Sequence, residues 1–204
     1  MRVALIGASG NVGSRILNEL LNRGHEVTGI VRHPEKLPRN DKLTAQRGDT
    51  NDEAGLAQLL VEHDAVISAV KFQSMNARSL IGAVKNAGVK KLLVVGGAGS
   101  LEVAPGVQLV DTPDFPEAYK PESLAGRDFL DALRGERELD WTFLSPSALF
   151  MPGERTGKFR LGTDRLLSGA NGESRISFED FALALVDELE TPRHSRQRFT
   201  IGYW

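Results

Sequence analysis

Three glycines near the start of the chain have the spacing of a turn that binds phosphate. Gly7, Gly10 and Gly13 follow an apolar run from Val3 to Ile6 and precede apolar residues at helical spacing. The first glycine permits a sharp exit from a strand, the second lets the backbone approach an anion, and the third lets helix and strand pack closely. Because a helix N-terminus presents free N–H groups and a positive dipole end, we expect a dinucleotide pyrophosphate to bind here.

The turn reads Gly-Ala-Ser-Gly-Asn-Val-Gly, a variant of the more familiar Gly-x-Gly-x-x-Gly dinucleotide pattern. An ordinary glycine-rich turn is the alternative interpretation, but the position between a strand and a helix favours the dinucleotide. The residues of the turn that we expect to contact the cofactor are Gly7, Ser9, Gly10, Asn11, Val12 and Gly13.

Arg32 follows the second predicted strand, 26–31, where a protein specific for NAD(H) usually presents Asp or Glu to the ribose hydroxyls. A guanidinium at that place can bind a 2′-phosphate and stack on adenine. We therefore expect NADP(H) to be favoured over NAD(H), with the Ser9 hydroxyl adding to the same phosphate site. The alternative is that Arg32 only begins a polar loop.

Further candidate cofactor residues follow the other predicted strands. A carboxylate at Asp49 can accept a hydrogen bond from the adenine amino group, although a solvated loop aspartate is an alternative. The small Ala69 leaves room for a cofactor to pass. The candidates in these loops are Asp49, Thr50, Ala69, Val70, Gly96, Ser145 and Pro146.

Strand and helix patterns alternate along the chain, which predicts parallel strands with right-handed crossovers. The strands are expected near 1–6, 26–31, 43–47, 64–70, 91–95, 141–144 and 198–203. The helices are expected at about 11–23, after a capping box at 50–53, at about 74–87, from Pro121 to about Arg137, and after a second capping box at 177–180. The fold class is therefore α/β, a doubly wound parallel sheet of the Rossmann type with a small C-terminal substrate lobe. Ligands of such sheets bind at the carboxyl ends of the strands.

Composition limits the function classes. The 204 residues suit a single domain, 1–204, with the substrate-side lobe built mainly from about 145–177. A formal net charge of −2 weighs against direct nucleic-acid binding, and the absence of cysteine excludes disulfides and thiol catalysis. Neither a signal peptide nor an apolar run of about 18 residues is present, so we expect a cytoplasmic protein without membrane contact. The composition leaves the oligomeric state open.

Several motifs together resemble the atypical short-chain dehydrogenase/reductase group described as NADH-flavin-reductase-like, which is related to NmrA-like proteins and to biliverdin/flavin reductases. They are the glycine turn, Val31-Arg32, Gly48-Asp49, the segments 95–101, 144–147 and 152–157, and the terminal segment 198–203. The resemblance spans nearly the whole chain. It implies NAD(P)H binding, and it implies that Ser145 and Pro146 close over the nicotinamide.

The chain departs from the larger superfamily at its usual catalytic pair, Tyr-x-x-x-Lys, in which the lysine lowers the pKa of the tyrosine for proton exchange with substrate. Four residues after Tyr119 stands Ser123, and the neighbouring Lys120 cannot take the place of the missing lysine. Tyr119 is the one catalytic candidate, because it lies before the helix that normally carries the pair. The alternative is a loop aromatic that covers the edge of the core.

Without a proton-transfer pair, interconversion of alcohols and ketones is disfavoured. Hydride transfer to a flavin, quinone or similar planar acceptor requires mainly that two rings be held face to face. Apolar surface for a flat ring is available at Phe150, Met151 and Pro152. A basic cluster follows, which either recognises an anionic substrate such as a flavin phosphate, forms a solvated lid, or meets a partner: Arg155, Lys158, Arg160 and Arg165.

The four histidines, His25, His33, His63 and His194, are expected in surface turns or in loops away from the cofactor, and their spacing suggests no metal site. Two functional classes remain: an NADPH-dependent reductase of a planar acceptor, and a non-catalytic NADP(H) sensor of the NmrA-like type. A nucleotide-sugar epimerase or dehydratase is disfavoured by the missing pair and by the short C-terminal lobe.

Overall fold

The computed structural model describes residues 1–204 and contains twelve strands and five α-helices. The strands are β1 (Arg2–Ile6), β2 (Glu26–Val31), β3 (Leu43–Arg47), β4 (Ala65–Ser68), β5 (Lys91–Val95), β6 (Glu102–Ala104), β7 (Val107–Gln108), β8 (Asp140–Ser145), β9 (Leu149–Met151), β10 (Arg160–Gly162), β11 (Arg175–Ser177) and β12 (Gln197–Gly202). The helices are α1 (Asn11–Asn22), α2 (Glu53–Leu60), α3 (Ala77–Asn86), α4 (Lys120–Arg134) and α5 (Phe178–Glu190).

Eight strands form the central sheet in the order β10-β12-β8-β5-β4-β1-β2-β3. All neighbouring strands are parallel except the edge strand β10, which is antiparallel to β12. The order reverses between β1 and β4, because β2 and β3 extend the sheet on one side of β1 and the later strands extend it on the other. The doubly wound parallel sheet predicted from the sequence is confirmed, and its switch point lies beside the glycine turn.

The helices cover both faces of the sheet and bury a separate apolar core on each. One core packs α1 and α5 against the sheet, and the other packs α2, α3 and α4 against the opposite face. The continuous apolar run of β5 follows from this arrangement: Leu93 belongs to the first core, and Leu92 and Val94 belong to the second. A strand covered on both faces has no polar side in its sequence.

Two helices begin differently from the sequence prediction. The capping box expected at 50–53 is wrong, because Asp52 and not Thr50 caps α2, its Oδ1 accepting from the Gly55 N–H at 3.0 Å. The next helix begins at Ala77 rather than near residue 74, since a 3-10 turn at Phe72–Ser74 comes first and Asn76 caps α3. In both places a carboxylate or amide nearer the helix satisfies the first free N–H groups.

The second capping box is confirmed in one direction only. The Ser177 Oγ accepts from the Asp180 N–H at 3.0 Å and caps α5. The Asp180 carboxylate does not return to the Ser177 N–H, because it accepts hydrogen bonds from Thr156 and Tyr203 instead. The cap therefore also joins the helix to two distant parts of the chain.

His25 lies in the turn before β2, away from the glycine turn, as expected for a histidine distant from the cofactor, but it is not at the surface. Its ring is buried, with Nε2 2.7 Å from a Glu190 carboxylate oxygen and Nδ1 3.2 Å from the N-terminal amine. A buried imidazole needs hydrogen-bond partners for both nitrogens. Here the partners are the N-terminal amine and Glu190 at the end of α5. None of the helices has the length and apolar character needed to cross a membrane.

Candidate functional site

Two of the three turn glycines are required by the fold itself. Gly7 has φ +84°, and a Cβ at this position would lie 2.8 Å from the carbonyl oxygen of Ala69. A Cβ on Gly13 would lie 1.9 Å from the carbonyl oxygen of Gly7. Both contacts are too close for any side chain, so these glycines hold α1 tightly against the end of β1.

Gly10 is different, because the fold does not require a glycine there. It is exposed, and a Cβ added to it would meet only the Gly7 carbonyl oxygen, at an ordinary 3.4 Å. The missing side chain instead leaves the backbone accessible from outside, which is what a pyrophosphate needs in order to approach. The turn therefore fits the cofactor that the sequence predicted.

The N-terminus of α1 has no partner from a side chain. Gly10 occupies the N-cap position, no side chain caps the helix, and the first turn carries no acidic residue. The side chains of Ser9 and Asn11 are exposed and make no hydrogen bond within the protein. Free N–H groups at a positive helix end suit the binding of an anion, as the sequence predicts, and the Ser9 hydroxyl is available beside them.

The switch point is closed by backbone hydrogen bonds. The Gly7 N–H donates to the Ile30 carbonyl at 2.9 Å, and the Ala69 N–H donates to the Ile6 carbonyl at 2.9 Å. Val70 packs on the same turn, its Cγ2 lying 3.2 Å from the position of a Cβ on Gly7. The loops after β1 and β4 are thus in direct contact, and the contact of Ala69 and Val70 with a cofactor stays a prediction.

Arg32 and Asp49 lie at the same edge of the sheet, on loops that follow the neighbouring strands β2 and β3. A hydrogen bond of 3.1 Å from the Gly48 N–H to the Val31 carbonyl joins the two loops. Arg32 is exposed and has neither an ion pair nor a hydrogen bond, although Glu35 is close by and pairs with His33 at 3.3 Å. The free guanidinium is accessible to a phosphate in solution.

Asp49, the acidic candidate of this region, has one hydrogen bond within the protein. The Asp49 Oδ1 accepts from the Asn51 N–H at 2.9 Å, and the side chain remains exposed. Thr50 next to it is buried, with 7% of its surface exposed, so its contact with a cofactor would require its backbone or a small movement. The roles of Asp49 and Thr50 toward adenine stay predictions.

On the other side of the switch point, the loops after β5 and β8 are joined. The Gly96 N–H donates to the Leu144 carbonyl at 2.8 Å, and a Cβ on Gly96 would lie 2.3 Å from the Phe143 ring. Ser145 and Pro146 are buried, and the Ser145 Oγ accepts from Arg198 at 3.3 Å. The Ser145 hydroxyl therefore has a partner within the protein that the sequence did not reveal.

Tyr119 ends a 3-10 turn, Glu117–Tyr119, directly before α4. Its side chain is 67% exposed and its hydroxyl makes no hydrogen bond. One turn into the helix, the Ser123 Cβ lies 2.7 Å from the position that a Cβ on Gly99 would take. The start of α4 therefore packs closely against the loop after β5, and a serine stands at the position of the lysine in the usual pair.

Glu122 has a role that the sequence did not indicate. Its two carboxylate oxygens accept from the Phe72 N–H at 2.6 Å and the Gln73 N–H at 3.0 Å. The contact ties the start of α4 to the 3-10 turn that follows β4. A glutamate in the first turn of a helix was the only sequence signal, and it more often indicates favourable interaction with the helix dipole.

The four cations of the basic cluster in the substrate lobe differ in whether they have a partner within the protein. Arg155 forms two hydrogen bonds with Glu19, and Arg160 donates to the Ser168 carbonyl, whereas Lys158 and Arg165 remain exposed. Two of the four cations thus have partners within the protein. The idea that all four together recognise an anionic substrate does not fit these contacts.

Residues 152–157, here called the 152–157 segment, are held by the first turn of α5. The Gly153 N–H donates to Glu179 at 2.8 Å, and Asp180 accepts from the Thr156 hydroxyl at 2.6 Å and the Gly157 N–H at 2.8 Å. Asp180 is fully buried. The segment has no regular secondary structure, so these carboxylates determine its course over α1 and α5.

Tyr203 completes this network, since its hydroxyl lies 2.6 Å from the Asp180 carboxylate. Burial, together with the adjacent Asp180 carboxylate, raises the pKa of the Tyr203 phenol above its usual value. The phenol is therefore a hydrogen-bond donor to Asp180 throughout the physiological pH range, and it joins the C-terminal strand to the segment.

A cavity of about 230 Å³ lies away from these loops, between the end of α5 and the start of β12. Its lining includes Phe159, Leu161, Glu188, His194 and Phe199. It is at the amino end of β12, opposite to the end at which the glycine turn lies. A dinucleotide site of this fold is an open crevice along strand ends, so we place the candidate site at the carboxyl edge rather than in this cavity.

The comparisons with known proteins agree with this geometry. The model of the family described as NAD(P)H-binding matches residues 7–192. The uncharacterized protein YwnB of Bacillus subtilis (strain 168) is 41% identical, and the match covers 98% of each chain. Two solved structures are similar over nearly their whole lengths. A provisionally named epimerase from Bacteroides thetaiotaomicron is 46% identical with a TM-score of 0.95, covering 99% of this chain and 96% of that one. A provisionally named NADH-flavin reductase from Streptococcus pneumoniae TIGR4 is 36% identical with a TM-score of 0.81, covering 100% of both.

Proposed function

The chain belongs to the NAD(P)H-binding family, and from that premise we propose that it is an NADPH-dependent reductase of a flavin, a quinone or a similar planar acceptor. The observation that carries the proposal is that Ser123 stands four residues after Tyr119, where a proton-transfer pair would have its lysine, while the exposed Tyr119 hydroxyl makes no hydrogen bond. An acceptor that takes its proton from solvent does not need that pair.

The proposed cofactor contacts follow the carboxyl edge of the sheet. Free N–H groups at the start of α1 bind the pyrophosphate, Arg32 and Ser9 bind the 2′-phosphate, and Asp49 accepts from the adenine amino group. The nicotinamide lies in the part of the crevice that Ala69, Val70, Gly96, Ser145 and Pro146 border. An exposed arginine without a competing partner supports NADPH over NADH, because no carboxylate is placed to bind the ribose hydroxyls at the end of β2.

When bound, NADPH supplies a hydride with its two electrons to N5 of a flavin, and a solvent proton at N1 completes the balance, leaving NADP⁺ and reduced flavin. The protein's part is to orient the two rings and to exclude competing reactions. Phe150 is anchored edge-on against Phe178 at 4.7 Å between ring centres, and Met151 next to it is exposed. These side chains provide apolar surface for the acceptor ring.

Epimerisation is less well supported, although one similar structure carries that provisional name. The reaction of short-chain epimerases depends on proton exchange with a substrate hydroxyl, for which the chain offers no tyrosine and lysine at the required spacing. The exposed Tyr119 hydroxyl makes no hydrogen bond within the protein. We therefore assign it, as a proposal, to covering the acceptor ring from the start of α4.

The proposal is tested by measuring NADPH oxidation against FMN, FAD, riboflavin and menadione, with NADH in parallel. We expect turnover with at least one acceptor and a higher kcat/KM for NADPH than for NADH. Gly10→Ala is the control, because it should weaken cofactor binding without unfolding the protein. Tight binding of NADP⁺ with no oxidation by any acceptor would instead support the non-catalytic sensor, which should bind the oxidised and reduced cofactor with different affinities.

A further inference from the structure

Arg198 on β12 is a buried cation directly behind the loops that border the nicotinamide part of the crevice. Its side chain is 3% exposed. Nη1 donates to the Ser100 Oγ at 2.9 Å and to the Ser145 Oγ at 3.3 Å, and Nη2 donates to the Ser100 carbonyl at 3.3 Å. Its counter-ion is Asp164, which accepts from Nε at 3.0 Å and is itself 56% exposed.

The two serines accept hydrogen bonds from Arg198 but donate none of their own within the protein. Ser147, two residues beyond Ser145, shows the usual arrangement, since its buried hydroxyl donates to the Ile201 carbonyl at 2.8 Å. A buried hydroxyl without an acceptor is rare, because the lost interaction with water is not replaced. The protons of Ser100 and Ser145 are therefore available to a group from outside the protein.

Both residues are buried, and only Ser100 lies in a loop, where a small movement brings its hydroxyl to such a group. Ser145 is fully buried at the end of β8, whereas Ser100 retains 4% exposure in the loop after β5. That loop begins at Gly96, which is hydrogen-bonded to β8 at the carboxyl edge. The Ser100 hydroxyl also shares the Arg198 Nη1 donor with Ser145 at the end of β8, which places it near the edge of the proposed acceptor site.

The guanidinium makes the Ser100 hydroxyl a stronger donor. A hydroxyl oxygen that accepts from a cation is polarised, and its own proton binds an electron-rich oxygen more strongly. Burial lowers the pKa of the Arg198 guanidinium, but arginine keeps its charge in proteins. The partly solvated carboxylate of Asp164 leaves the positive field of Arg198 directed toward Ser100.

We propose that the Ser100 hydroxyl donates a hydrogen bond to a carbonyl oxygen of the acceptor, and that Arg198 is the positioning residue that orients and polarises this hydroxyl. The inference rests on the proposed reductase function and narrows its substrate class. The acceptor carries a carbonyl conjugated to the atom that receives the hydride, as flavins and quinones do. The two electrons of the hydride place negative charge on that oxygen before a solvent proton arrives, and a fixed donor stabilises this charge.

The first test is spectroscopic and does not depend on turnover. FMN is added to the protein loaded with NADP⁺, and the carbonyl stretching frequencies of the flavin are measured by infrared difference spectroscopy. Ser100→Ala should move one carbonyl band to higher frequency, toward its position in the absence of a donor. Ser147→Ala is the matched control, a buried serine of the neighbouring loop whose loss should leave the flavin bands unchanged.

The second test is kinetic. Ser100→Ala should lower kcat for FMN reduction by about 10²-fold with little change in the KM for NADPH, since removing one donor to a developing oxyanion has an effect of this order. Arg198→Lys keeps the charge but loses the planar fork, so it should shift the same carbonyl band part of the way and lower kcat by a smaller factor. A purely structural role would lower Tm without either change.

The outcomes separate the inference from the function on which it rests. Unchanged carbonyl bands and unchanged kcat in Ser100→Ala would overturn the inference while leaving the reductase function intact. A wild-type protein that shows the Ser100-dependent band shift but oxidises no NADPH would support the hydrogen bond and contradict the reductase. If FMN and menadione fail to bind to the NADP⁺ complex at all, both are wrong.

Discussion

Arg155 binds Glu19 through two parallel hydrogen bonds, with Nε and Nη2 each 2.9 Å from a different carboxylate oxygen. The Glu19 side chain is 6% exposed on α1, and Arg23 on the same helix lies 2.8 Å from one of its oxygens. Arg155 comes from the 152–157 segment, so the pair joins that segment to the helix that begins at the glycine turn. The hydrogen bonds from Arg155, followed by those from Arg23, hold the pKa of Glu19 below its usual value of 4.5.

This pair predicts a loss of stability in acid. Because the pKa of Glu19 is lower in the folded than in the unfolded chain, its contribution is complete above the ordinary value of 4.5 and is lost as the pH falls through the folded value. We expect Glu19→Gln to reduce the free energy of unfolding by about 2 kcal/mol at pH 7. Urea unfolding of both proteins from pH 7 to pH 3 should show the difference shrinking toward acid.

A surface pair provides the comparison. Glu62 is 77% exposed and lies 3.9 Å from Arg2, so Glu62→Gln should change stability by about 0.5 kcal/mol or less. A Glu19→Gln effect as small as this one, or a difference that does not depend on pH, would contradict the role assigned to the Glu19 carboxylate.

The two turn glycines Gly10 and Gly13 predict opposite outcomes for the same substitution. Gly13→Ala brings a Cβ to within 1.9 Å of the Gly7 carbonyl oxygen, and we expect it to lower stability by about 3 kcal/mol or more. Gly10→Ala has a 3.4 Å contact only and should keep Tm within a few degrees of the wild type. Calorimetry of NADP⁺ binding should nevertheless show an affinity for Gly10→Ala reduced at least about 10-fold, since the methyl group lies where the phosphate approaches. Full affinity in that variant would place the pyrophosphate elsewhere.

Arg32 should determine the preference for NADP⁺ over NAD⁺. Arg32→Ala should weaken NADP⁺ binding by about 1–3 kcal/mol, the size of a charge-assisted contact, and leave NAD⁺ binding nearly unchanged. Arg137→Ala is a suitable control, because Arg137 is also exposed but follows α4 at the opposite edge of the sheet. Equal losses for both dinucleotides, measured by calorimetry, would show that Arg32 does not discriminate between them.

The hydrogen bond from Tyr203 to Asp180 should stabilise the 152–157 segment. Tyr203→Phe removes the 2.6 Å hydrogen bond to the buried Asp180 carboxylate, which should lower the free energy of unfolding by about 1–3 kcal/mol. Amide hydrogen exchange at Thr156 and Gly157 should become faster, because both residues share that carboxylate. Tyr119→Phe removes an exposed hydroxyl without a partner and should leave stability unchanged. Slow exchange retained in Tyr203→Phe would mean that Thr156 and Gly157 alone hold the segment.

Much of the fold could be predicted because its signals are local. The strands β2, β3 and β5 have the bounds expected from their sequences. The strands β2 and β5 are β-branched or apolar runs, and each of the three is followed directly by a glycine or a charged residue. Helix starts were less predictable. Thr50 and Asp52 are both good caps, and only the course of the chain after β3 selects Asp52.

The sequence by itself determined the glycine turn, the parallel sheet, and the presence of Arg32 instead of an acidic residue at the end of β2. Each of these depends on residues within a few positions of one another. The tertiary structure alone decided which partner each buried or long polar side chain has. Arg155 belongs with Glu19, Asp180 with Tyr203, and Arg198 with Ser100, and none of these pairs is close in the sequence. A long side chain finds its partner only when the packed sheet and helices bring distant segments together and remove water from between them, which no local pattern records.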